Sequence, residues 1–173
     1  MDKRLFIILV IICIITHVIR SVYEILKHNK KLKPNRLTFV IVFTNMMVLW
    51  MSWFVLCTID IYTIHLAGII KAVGISLAGI GLIIFLIALS TIKTLESYEG
   101  SLITKGIYSK VRHPMYLGFI LWLIGFPVFN GALFSFLLGL IFIANVLFWQ
   151  YLEEKELDIR FPSYPEYRKR TLF

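Results

Sequence analysis

The residues best placed to do chemistry lie between Gly106 and Gly118, in the stretch GIYSKVRHPMYLG. There polar, aromatic and helix-breaking residues interrupt a nearly continuous apolar sequence. Pro114 has a fixed φ and no N–H, so it suits the first turn of a helix whose apolar run begins at Met115. Arg112 and His113 then sit at the N-terminal mouth of that helix. Unpaired backbone N–H groups and the positive end of the dipole favour an anion there. Tyr108 and Tyr116 flank the mouth with ring faces and hydroxyls. The constellation suits a ligand with a carboxylate and a flat or cationic part, held at the edge of a membrane.

A second polar group stands downstream, in residues 150–161. Glu153 and Glu154 are neighbours, about 100° apart around a helix, so the two are not expected to face one pocket. Leu157 shares the face of Glu153. Phe161, Tyr164 and Tyr167 follow, with Pro162 and Pro165 between them. Glu153 on the pocket side sets an acidic group opposite the basic mouth, which suits a ligand carrying both an α-carboxylate and an α-amino group. Cys13 and Cys57 lie inside apolar runs without metal-ligand spacing and are read as small core residues, and no metal site is expected.

The elements that must position these groups are membrane helices. The chain is 59% hydrophobic and 16% charged, with mean hydropathy +0.84, too apolar for an ordinary soluble domain. The net charge of +8 comes from basic residues beside apolar runs, which points to topology and anionic lipid rather than to nucleic acid. Apolar spans are expected at residues 5–22, 37–59 and 72–92. A shorter run at 116–129 reaches about 21 Å, below the ~30 Å hydrocarbon core. Pro127 and Asn130-Gly131 are read as a break and turn, and residues 132–152 as the return helix of a hairpin. The fold expected is thus all-α, an integral membrane bundle of five helices, the last two a helical hairpin, with a short cytosolic C-terminal segment. It divides into three N-terminal helices (1–92) and a C-terminal core (93–173). Basic residues cluster at 27–36, at 93–112 and in the tail, so those segments are placed in the cytosol and the N-terminus outside. His17 and Arg20 interrupt the first span; His17 is expected to pack in the bundle and Arg20 to snorkel. Gly74 and Ala78 have the small-xxx-small spacing of close helix packing.

Taken together, Gly106-x-Tyr108, Arg112-His113-Pro114-x-Tyr116-x-Gly118 and, after the apolar hairpin, Glu153-Glu154-x-x-Leu157, Phe161, Tyr164 and Tyr167 resemble the isoprenylcysteine carboxyl methyltransferase family. The related phospholipid methyltransferases share much of the pattern. The resemblance covers residues 93–170 and implies S-adenosylmethionine as cofactor. By position it carries cofactor contacts to Gly100, Ser101, Leu102, Ile103, Tyr108, His113, Tyr116 and Glu153, with Arg112 and Pro114 completing the motif. It implies methyl transfer at the membrane to a lipid-like or lipidated acceptor, with a carboxylate favoured. Two departures stand out: Phe161-Pro162 replaces the family's Phe-Gly, and Trp149 occupies the position where eukaryotic members carry a substrate-side arginine. A carboxylate acceptor is already a nucleophile, so alignment and exclusion of water suffice. An amine acceptor needs a base, for which Glu153, Glu154 and His113 are the candidates. Arg112 and Glu154 are the candidate catalytic residues. Phospholipid N-methylation and an NADPH-dependent sterol-type reduction are the alternative reactions, and a membrane scaffold the non-enzymatic one.

Overall fold

A computed structural model describes residues 3–33, 35–92 and 102–173. Among the described residues there are six α-helices and no strand: α1 (Lys3–His28), α2 (Arg36–Thr58), α3 (Gly68–Ile92), α4 (Pro114–Asn130), α5 (Leu133–Arg160) and α6 (Tyr164–Arg170), with a 3₁₀ turn at Gly106–Ser109 before α4. Of these, α1, α2, α3 and α5 are long and apolar enough to cross a membrane. Their outward faces carry Ile7, Ile8, Ile11, Ile80 and Ile83, all exposed; such continuous apolar surface is costly in water and is what lipid solvates. At 17 residues, α4 spans about 26 Å, slightly less than the hydrocarbon core.

Local chemistry fixes the helix ends. Asn35 caps α2: its side-chain oxygen accepts from the Thr38 N–H (2.9 Å), and Thr38 Oγ1 accepts from the Asn35 N–H (2.8 Å), a reciprocal box that satisfies two orphan donors. The first turn of α5 is capped from a distance. Buried Asp60 accepts from the N–H and hydroxyl of Ser135, at 2.7 and 2.8 Å, and from the Tyr62 N–H at 2.8 Å. This ties the α2–α3 connection to the turn between α4 and α5. Gly131 makes that turn with φ +66°, beneath the Ile64 carbonyl, a conformation and a space that a side chain would not accept.

The tightest packing is α3 against α4. A Cβ on Gly81 or on Gly118 would stand 2.7 Å from the other's carbonyl oxygen, and one on Gly125 would stand 2.5 Å from the Gly74 oxygen. The two backbones are in direct contact, as small residues at a helix interface permit. Around this pair, Trp50, Trp53, Phe119, Trp122, Phe142 and Trp149 form the buried core, with Trp50 edge-on to Trp122 at 4.8 Å.

Several expectations are corrected. Pro127 lies inside α4 and does not break it. Its missing N–H frees the Leu123 carbonyl, against which α5 packs so closely that a Cβ on Gly139 would stand 3.0 Å from the Leu123 oxygen. The chain turns only at Gly131. The helices α1 and α5 run past the expected ends at residues 22 and 152 to His28 and Arg160. Arg20 does not snorkel: it is buried and paired with Glu24 one turn on, a partner four residues away along the same helix face. His17 packs in the bundle, stacked on Phe142 at 3.7 Å and contacting Asn145 through Nδ1 at 3.1 Å.

Candidate functional site

The last turns of α5 divide their polar residues between two faces. Glu153, Glu156, Leu157 and Arg160 recur at helical spacing and line one pocket. Glu154 and Asp158, four apart, face α6 and the motif before α4. The adjacent glutamates therefore have different surroundings, as the 100° step requires.

Glu154 is the centre of a clamp. It accepts from Arg112 Nε at 3.1 Å, stands 3.3 Å from His113 Nε2 and lies 3.8 Å from Arg168 Nη1. Arg112 also donates from Nη1 to the carbonyls of Thr171 (2.8 Å) and Arg168 (3.1 Å). Arg168 in turn binds both Asp158 oxygens, at 2.8 and 2.9 Å. The guanidinium thus fastens α5, α6 and the tail together. The backbone joins in: the Arg112 and His113 N–H groups donate to the carbonyls of Leu172 and Phe173, and Leu172 N–H donates to Lys110 O. This corrects the expectation of open donors at those two positions of the helix mouth, because the tail occupies them.

The pocket beside the clamp is about 110 Å³. Its walls include Leu102, Ile103, Tyr108, Arg112, His113, Glu153, Phe161, Tyr164 and Tyr167. His113 Nδ1 stands 3.8 Å from Glu153 Oε2, so the two residues that the sequence set opposite each other are neighbours in space. Tyr167 donates from its hydroxyl to the Tyr108 carbonyl at 2.6 Å and so fixes the 3₁₀ turn, which begins at Gly106 with φ +58°. The Tyr108 hydroxyl is buried and has no partner among the described residues. Burial pushes the Tyr108 phenol above its ordinary range, with the Glu153 carboxylate adding to the shift. Burial does the same to Tyr164 and Tyr167. Gly100 and Ser101 lie outside the described residues.

A second cavity, about 560 Å³, opens between α2 and the α3–α4 pair. Most of its wall is hydrocarbon or aromatic, as at Val42, Met46, Trp50, Leu82, Phe85 and Trp122. Its polar end holds Arg20, Glu24, Lys27, Tyr116 and Glu153. Lys27 and Glu153 line both cavities, so the polar pocket and the apolar cavity meet at these two side chains. Tyr116, expected beside the pocket, instead lines the apolar cavity, with its hydroxyl toward Glu153. Pro114 is buried at the first turn of α4 and lines neither cavity. Glu154 lines neither. Among the described residues no cluster of His, Cys, Asp or Glu could hold a metal ion.

The model of a family described as phospholipid methyltransferase matches residues 69–162, more than half of the sequence. The chain belongs to the phospholipid methyltransferase family. A protein-S-isoprenylcysteine O-methyltransferase from Schizosaccharomyces pombe is 35% identical over 72 residues, which is 40% of this chain and 30% of that relative. The match therefore spans less than a third of the relative's length. No solved structure matches the chain. Both matches carry methyltransferase names, and neither supports the reductase alternative. As a family member the chain needs a methyl donor, and the matched residues include all but the first residue of α3, the whole of α4 and α5, and the Arg112–His113–Pro114 motif at the start of α4.

Sequence reasoning missed three contributors to this region. Arg20 and Glu24, on the first helix, lie outside both motifs; the signal was the acid four residues after the base. Lys27 was read only as part of a basic loop.

Proposed function

We propose that the protein is an S-adenosylmethionine-dependent methyltransferase acting on a lipid-like or lipidated acceptor, with a carboxylate as the favoured methyl-accepting group. The observation that carries this reading is the meeting of a polar, aromatic pocket and a long apolar cavity at Glu153 and Lys27. A water-soluble donor and a lipid acceptor need such a pair of compartments with one shared wall.

The residues present fit the donor. Glu153, with its carboxylate partly exposed, faces the pocket as a partner for an ammonium or sulfonium group. Tyr108, Tyr164 and Phe161 offer ring faces to a cation, worth about 0.5–2 kcal/mol. The unpartnered Tyr108 hydroxyl awaits a polar atom of the ligand, since a buried donor without a partner costs about 1–3 kcal/mol. The 110 Å³ pocket is below the ~300 Å³ usual for a ligand site, so a nucleoside-sized ligand extends from it toward the junction. When bound, the donor supplies an electrophilic methyl group for in-line displacement, the electron pair of the breaking carbon–sulfur bond staying on sulfur. The chain's own work is positional: the Glu154 clamp holds His113 and the tyrosines, and the walls exclude water. A carboxylate needs no base there. For an amine, Glu153 is the carboxylate at the junction able to take the proton.

The same reading gives five membrane helices, with α4 as the short fifth crossing and α4–α5 as a hairpin, the N-terminus outside and the donor site on the cytosolic side. Support comes from the basic residues at 27–36 and in the tail, of which Lys27 and Arg160 line the polar pocket. The test is incubation of the purified protein with methyl-labelled S-adenosylmethionine and host membrane extract. Base-labile label in lipid-soluble material is the expected result. Base-stable label would move the reading to N-methylation, and no transfer to any lipid would end it.

A further inference from the structure

We infer that Arg20, on the first helix, is the residue that recognises the head of the acceptor, and that this head is a carboxylate on a hydrocarbon chain. The inference rests on the function proposed above and goes further, by assigning acceptor recognition to a residue outside both sequence motifs.

Arg20 is 8% exposed and lies at the polar end of the apolar cavity. A guanidinium has five donors in a fixed fork and no means of becoming neutral. Glu24 engages one terminal nitrogen. The Nε–H is buried and has no partner among the described residues. A buried, unsatisfied donor on a charged group calls for an explanation, and an anionic oxygen entering from the cavity supplies one. The head group is held ready rather than loose. Its central carbon lies 5.3 Å from the Tyr23 ring and 5.7 Å from the Trp149 ring. Trp149 is itself fixed, donating to Ser21 Oγ at 3.0 Å, and Ser21 donates to Asn145 at 2.9 Å. A rotamer frozen by stacking and hydrogen bonding loses little entropy on binding.

The location selects among ligands. The cavity wall beyond Arg20 is hydrocarbon and ring carbon, matched to a lipid chain. Tyr116 and Glu153 line the same cavity as Arg20, and Glu153 also lines the polar pocket, so a head held at Arg20 lies in the compartment that borders the shared wall. Glu24 offsets much of the guanidinium charge, which keeps the grip moderate. Methylation of a carboxylate abolishes the charge that Arg20 reads, so the ester is held less tightly than the acid.

The experiment measures binding of two probes to the purified full-length protein in detergent, with and without S-adenosylhomocysteine. One is N-acetyl-S-farnesylcysteine, and the other is its carboxamide, of nearly equal size but uncharged. The wild type should prefer the acid by about tenfold or more, the scale of one charge-assisted contact. Arg20→Met should erase that preference and leave S-adenosylhomocysteine affinity within about twofold. If the single variant strands Glu24 and unfolds, Arg20→Met/Glu24→Met replaces the pair by apolar groups of similar size, a change that buried pairs tolerate, and the same loss of preference is expected. The inference is overturned if the variants keep the preference for the acid. It is overturned equally if they lose both probes alike, or if wild type favours phosphatidylethanolamine vesicles over both. A wild type that prefers the acid but binds no S-adenosylhomocysteine would sink the proposed function and leave Arg20 as the head-group reader.

Discussion

Removing the Glu154 carboxylate should loosen the proposed donor pocket without touching any ligand. In the structure this side chain is about four-fifths buried, accepts from Arg112 at 3.1 Å and meets His113 at 3.3 Å. Charge-assisted bonds of this kind contribute roughly 1.5–3 kcal/mol each. Breaking a largely buried pair costs about 3–5 kcal/mol, because the remaining charge is stranded. Arg112 keeps two carbonyl acceptors, at Thr171 and Arg168, so the lower end of that range applies. Glu154→Ala should therefore cost about 3 kcal/mol of local order. If that order is what positions His113, Tyr164 and Tyr167, S-adenosylhomocysteine affinity should fall by about a hundredfold. Glu154→Gln keeps one acceptor oxygen and should fall by only about tenfold. The assay is titration calorimetry on Glu154→Ala, Arg112→Ala and the double variant. Members of one network do not add, so a coupling of about 1–3 kcal/mol between the two sites is expected. Additive effects within ~0.5 kcal/mol, or unchanged affinity in Glu154→Ala, would refute the clamp.

Other expectations follow from the packing. Gly125→Ala would put a methyl 2.5 Å from the Gly74 oxygen and 2.6 Å from the Ala78 nitrogen; both neighbours are backbone, so a loss of about 1–3 kcal/mol should lower the thermal midpoint in detergent, and an unchanged midpoint would mean the helices separate easily. Asp60→Ala strips three hydrogen bonds from the α5 cap and its loop and should destabilise by about 2 kcal/mol or more in the same assay, with Asp60→Asn milder. Tyr167→Phe frees the Tyr108 carbonyl and should weaken S-adenosylhomocysteine binding several-fold, at about 1 kcal/mol, with little change in thermal midpoint. Burial raises the phenols of Tyr108, Tyr164 and Tyr167. Their contribution to stability is therefore intact below the ordinary tyrosine value of about 10 and is lost as pH rises above it; an alkaline titration showing tyrosinate from these residues while the fold persists near pH 10 would contradict their burial.

The membrane helices were legible because hydropathy and length report burial in lipid directly, and Gly74, Ala78 and Pro114 mark backbone constraints that context seldom overrides. Helix ends were less legible. The charged turns after Val22 and Leu152 resemble loops until their partners are known: Glu24 binds within its own helix, while Glu154 binds Arg112 before α4 and Asp158 binds Arg168 of α6. Pro127 reads as a break in sequence, yet the helix absorbs it because Gly139 lets α5 pack close to the freed carbonyl. The motif at 106–118 lies against the end of α5, as the sequence set it, and the 100° rule separated Glu153 from Glu154. What no local pattern shows is that Arg112 turns toward residues 168–173. Nor does any local pattern bring Arg20 of the first helix beside Trp149 of the fifth.

The most direct measurement is equilibrium binding of S-adenosylhomocysteine to wild type and Glu153→Ala, since Glu153 stands where the two cavities meet. Saturable binding by wild type that weakens at least tenfold in Glu153→Ala, with the thermal midpoint of the unliganded protein preserved, is the result expected. Wild-type binding that is absent, or equally tight without the Glu153 carboxylate, would contradict a donor held at that junction.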